Sequence, residues 1–177
     1  MVSGASASTA SPAPTRAGMP KARAMIAWLT RCPGHCAGRD RIVGMLWGDR
    51  FEDQARASLR QSLADLKETA PDAAALIRAD RTEIGLHPGW TSDLAELEAA
   101  IAAGDAPALA ALLESMQGEL LADLAGLSPG FDDWRMAEQA RLEQCLQAEV
   151  LPIARQAAES APRVARAIAN GLQRLLE

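Results

Sequence analysis

Tyrosine is absent from this chain, phenylalanine and histidine each occur twice, and cysteine occurs three times. Aromatic residues make up only 3% of the total, too little to build the strand-rich sandwiches and barrels that lean on such side chains. Cys32, Cys36 and Cys145 are too few and too scattered for a disulfide framework. Their odd number fits a reducing compartment, so a cytoplasmic location is expected. No run of about 18 apolar residues occurs, which argues against a helical membrane span. Two histidines leave little for acid–base catalysis, and the chain holds no H-E-x-x-H, no glycine-rich phosphate loop and no Ser/His/Asp set. Neither enzymatic activity nor a cofactor is expected.

What is present favours helix. Of 177 residues, 49% are hydrophobic and roughly a fifth are alanine, the strongest helix former. That length suits one domain or two small ones. The net charge of −5 argues on its face against nucleic acid. It hides an asymmetry: residues 1–90 carry 12 Lys/Arg against 9 Asp/Glu, a net of +3, whereas residues 91–177 carry 6 against 14, a net of −8. A mildly basic half joined to an acidic one implies different partners for each.

The first 18 residues have the Ser/Ala/Pro/Gly composition of a disordered arm and lack the features of a signal peptide. Helical periodicity then predicts helices at 20–31 and 39–47, separated by Pro33-Gly34. A third is predicted at 52–69, where Leu59, Leu63 and Leu66 mark a buried stripe. Arg56, Arg60 and Lys67 recur at i, i+4 and i+11, with Gln61 near them, so the helix reads as apolar inward and cationic outward. Two short strands follow, at 76–78 and 83–86, joined by a polar turn. Three helices and a hairpin are the order of a winged helix-turn-helix. Beyond Trp90, Ser92 caps a helix and Gly104-Asp105-Ala106-Pro107 joins it to a second. A long helix from about Phe131 is interrupted near Pro152, and an amphipathic helix over 162–176 carries Val164, Ile168, Leu172 and Leu175 on one face.

The string Lys21 to Lys67, above all Leu46-Trp47-Gly48-Asp49 with Ala55-Arg56-Ala57-Ser58-Leu59-Arg60-Gln61-Ser62-Leu63, resembles the winged-helix domain of bacterial SARP-type transcriptional regulators, a branch of the OmpR-type fold. GELLADL at Gly118 to Leu124 and FDDWRMAEQARL at Phe131 to Leu142 resemble the bacterial transcriptional activation domain that follows it in those proteins. The resemblance spans about 20–150. It implies a mostly α protein: an arm at 1–18, a winged helix with a small β-hairpin wing at 19–90, and a TPR-like helical domain at 91–177. It further implies a DNA-binding regulator whose helical domain contacts protein partners such as the transcription machinery. Arg56, Arg60 and Gln61 would reach base edges or phosphates, and Lys67, Arg78 and Arg81 the duplex backbone.

Blander readings stand beside these. Cys32-Pro33-Gly34-His35-Cys36 offers three zinc-type ligands without a second half, so a loop between helices is expected and no metal. Asp132 and Asp133 fall in a helix's first turn, where carboxylates meet the positive end of the dipole, and together with Glu138 they are read as structural rather than catalytic. Trp28, Trp47, Trp90 and Trp134 read as core and junction residues, with Trp90 and Trp134 at the contact between the halves. The last helix's apolar face serves either the core or a homodimer. The alternative to a DNA reader is a protein-interaction scaffold of the same fold that has lost productive DNA binding.

Overall fold

The computed structural model describes residues 19–116 and 118–176; the arm expected at 1–18 lies outside the described residues. The chain is mostly helical, with one small antiparallel sheet. Helix α1 (Pro20–Arg31) opens with Pro20 at its first position, where the missing N–H needs no partner. After a 3₁₀ turn at Pro33–His35 come strand β1 (Cys36–Gly38) and helices α2 (Arg39–Trp47) and α3 (Glu52–Thr69). A short helix α4 (Pro71–Ala75) leads to strands β2 (Ile77–Ala79) and β3 (Glu83–Leu86).

The sheet has the order β1-β3-β2 and both pairings are antiparallel, with Ala37 opposite Ile84 and Arg78 opposite Gly85. Two features differ from the sequence expectation. The segment expected to be only a loop supplies the third strand, and Leu76 caps α4 instead of starting the hairpin. Cys-Ala-Gly has no strand propensity of its own; pairing with β3 holds it.

The first core gathers Met25, Trp28 and Leu29 of α1, Ile42, Leu46 and Trp47 of α2, and Leu59 of α3 over Ile84 and Leu86. Lys21 braces it from the edge, its Nζ donating to the Leu46 carbonyl and lying 5.0 Å from the Trp47 ring centre. Burial lowers the Lys21 pKa, partly offset by Asp49.

The second half begins with α5 (Asp93–Ala103) and α6 (Ala106–Ser115). Ser92 and Asp105 cap them through the amides of Ala95 and Ala108, and Gly104 turns between them in the left-handed region at φ +63°. A 3₁₀ turn at Ala122–Leu124 precedes α7 (Pro129–Cys145), which runs through a π-turn at Leu146–Val150 into α8 (Leu151–Ser160). The interruption expected near Pro152 therefore takes the form of a widened turn in a continuing helical path, placed where Pro152 has no N–H to give. Helix α9 (Pro162–Leu176) closes the described chain.

A second core joins Leu97 and Ile101, Leu109 and Leu113, Leu146 and Val150, and Ile168 and Leu172. The apolar face of α9 is thus spent inside the chain, with Val164 and Leu175 packed at its margin. Leu124 and Phe131, although late in sequence, are buried in the first core, and Trp134 packs beside them. The Ser128 hydroxyl fixes this docking by donating to the Met45 carbonyl at 2.8 Å. No helix among the described residues is long and apolar enough to cross a membrane.

Candidate nucleic-acid interface

Helix α3 and the β2–β3 hairpin carry the six residues singled out from sequence. At 100° per residue, Arg56, Arg60 and Lys67 fall within about 40° of one another around α3, only about a quarter-turn from the buried stripe. The cations therefore flank the apolar face rather than oppose it, and Lys67 borders a crevice of about 290 Å³ with Leu63, Leu66 and Arg39. Gln61 is one residue beyond Arg60, so it points about 100° away from that row. Its amide donates instead to Asp65 at 2.6 Å.

The six differ in how free they are. Arg56 sits in two ion pairs, with Glu52 at 2.6 Å and Asp40 at 3.0 Å. Arg78 pairs with Glu83 at 3.4 Å and reaches the Leu86 carbonyl. Arg60, Lys67 and Arg81 are exposed and have no ion-pair or hydrogen-bond partner among the described residues. Acidic side chains intersperse the surface, since Asp53, Asp65 and Glu68 lie on the same helix.

The hairpin turn is rigidly built. The Asp80 carboxylate accepts from the amides of Thr82 at 2.7 Å and Glu83 at 2.9 Å and from the Thr82 hydroxyl at 2.9 Å. Those bonds, the Glu83 amide first, hold the Asp80 carboxyl below its ordinary pKa. Arg39 ties the turn to the start of α2: its amide donates to the Thr82 carbonyl and its Nε to the Asp80 carbonyl, at 2.9 and 2.8 Å. Arg81 is thereby presented at the tip of a fixed turn.

Sequence reasoning missed Arg39, although a cation at the first position of a helix opposes the dipole and so signals another duty. It also missed Phe51, which precedes α3 and is 83% exposed, an unusual position for a large apolar side chain. Arg50 lies beside it and donates to the Ser58 hydroxyl at 2.9 Å.

Four of the other candidate groups, His35, Cys32, Asp132 and Glu138, are held in structural surroundings. His35 Nδ1 lies 3.0 Å from the Thr30 carbonyl and Cys32 is buried, its thiol pKa pushed up by burial. No group of three or more His, Cys, Asp or Glu among the described residues is placed to hold a metal ion. Asp132 accepts from the Gly126 amide. Glu138 is buried and bound to Arg31 at 2.6 Å and Arg141 at 3.3 Å, while Glu98 joins the same two arginines at 3.0 and 2.9 Å. This four-residue cluster links α1 to α5 and α7. No family model matches the chain, and the search of curated proteins returned no match.

Proposed function

We propose that residues 19–90 form a winged helix that binds duplex DNA through α3 and the β2–β3 hairpin, and that the protein is a cytoplasmic transcriptional regulator without enzymatic activity. The observation that carries this reading is the coincidence of Arg60 and Lys67 on α3 with Arg81 on the hairpin tip, all exposed and unpaired among the described residues. Three free cations on two adjacent elements suit the phosphates that flank a groove. The helical part over 91–176, read as TPR-like from the packing of the successive helices α5 with α6 and α8 with α9, is the surface for protein partners. Its acidic charge keeps it away from the duplex.

Fluorescence anisotropy with labelled genomic duplexes across a salt series tests the proposal. Binding should weaken steeply with salt, and Arg60→Ala should reduce the log–log slope by about 0.9 if one phosphate contact is lost. Salt-independent or absent binding refutes it. The second reading, a scaffold without productive DNA binding, draws on the pairing of Arg56 with Asp40 and Glu52, of Gln61 with Asp65, and of Arg78 with Glu83.

A further inference from the structure

A groove of about 430 Å³ opens between α5 and the end of α7, outside the surface assigned to DNA. Its size falls within the range of about 300–1,000 Å³ common to small-molecule pockets. Leu94, Leu97, Ile101, Leu142 and Ala148 give it apolar walls. The π-turn that accommodates Pro152, at Leu146–Val150, runs along one side, and such turns are frequent at functional sites.

The charge at its rim is unbalanced in a defined way. Glu98 and Glu138 are each shared by Arg31 and Arg141, so two carboxylates meet two guanidinium groups. Glu149, on the same rim, has no salt bridge among the described residues; its neighbour is the Cys145 thiol. Burial raises the Cys145 pKa first, and the nearby charges of Glu149 and Glu98 raise it further against Arg31, which lowers it. The surrounding segment draws cations as well, since residues 91–149 hold 12 Asp/Glu against 2 Arg.

We propose that this groove binds a small organic monocation, an amine or amidine carried on an apolar body, with Glu149 taking the charge and the α5/α7 walls the apolar part. One positive charge neutralises the rim, and an anion of the same shape meets repulsion. The proposal stands whether or not the protein binds DNA.

The probe is phenethylamine, with 2-phenylethanol and phenylacetate as neutral and anionic counterparts, titrated into the full chain and followed by amide NMR shifts. Phenethylamine should shift amides within 94–102 and 138–149 saturably, whereas phenylacetate should leave them in place and the alcohol should bind more weakly. Glu149→Gln, an exposed and fold-neutral change, should weaken phenethylamine by about threefold to fivefold, the worth of a solvent-accessible ion pair. Shifts scattered over the molecule, equal binding of all three compounds, no shifts with phenethylamine at about 10 mM, well above a millimolar Kd, or unchanged affinity in Glu149→Gln overturns the assignment.

Discussion

Arg31 Nε lies 2.6 Å from Glu138 Oε1, joining the last residue of α1 to the middle of α7 across more than a hundred positions of sequence. Both side chains are largely shielded from water, which makes this pair worth more than a surface ion pair. Glu138→Gln keeps the shape but removes the charge that two arginines share. The expected loss is about 2 kcal/mol, the range of a charge-assisted hydrogen bond, measured by urea unfolding. A loss within error would mean that Glu98 alone suffices to hold both guanidinium groups.

Phe131→Ala should cost about 3–5 kcal/mol, because the ring is fully buried and its removal leaves a cavity. The ring lies in the first core, among residues of α1, α2 and β3, so the substitution should lower the unfolding midpoint seen by Trp28 and Trp47 fluorescence. A midpoint unchanged for those two tryptophans would show that the first core does not depend on α7.

These two residues mark what the sequence left hidden. Local signals sufficed for α1, α2, α3 and α9, whose bounds agree with the periodicity and the flanking proline and glycine. They sufficed too for the caps at Ser92 and Asp105. Nothing local announces that Leu124 and Phe131 leave the acidic half to fill the other core, or that Arg31 is the partner of Glu138, since both are tertiary facts. Strand β1 was invisible for the same reason. At the candidate interface the cation row on α3 was legible, as was Glu52 one turn before Arg56, but Asp40 was not because it comes from α2, as do the bonds from Arg39 that tie down the hairpin turn.

Gly171 sits where α9 crosses α6, and a Cβ built there would lie 2.6 Å from the Leu113 Cβ and 3.3 Å from the Leu113 carbonyl oxygen. The backbone opposite cannot move aside without shifting α6. Gly171→Ala should therefore destabilise by about 1–3 kcal/mol despite alanine's better helix propensity, as overpacking does. Thermal unfolding decides the sign, and a rise in Tm would mean that the two helices separate at little expense.

Asp80 gives the hairpin turn a pH dependence. Its folded pKa is depressed, so its contribution is present above the unfolded value of about 4 and is lost as pH falls through the folded value. Stability measured from neutral pH downward should decline in that acid window, and Asp80→Asn should decline less there because it has no proton to gain. Parallel curves for the two proteins would show that the three bonds at Asp80 do not favour the carboxylate.

Arg56 and Arg60 stand one turn apart on the same flank of α3, yet Arg56 is held by Glu52 and Asp40 while Arg60 is free. On the DNA-binding reading, this difference sets the order of their effects. Arg60→Ala removes a cation available to phosphate, whereas Arg56→Ala removes one already half-neutralised and should weaken duplex binding less. The converse change is more telling. Glu52→Gln releases Arg56 from its closest carboxylate and removes a negative charge from the approach to the duplex, so binding should tighten by about threefold to fivefold at low salt. That gain should shrink as salt screens it. If Glu52→Gln leaves duplex affinity unchanged at every salt concentration, α3 does not face the phosphates, and the scaffold reading takes its place.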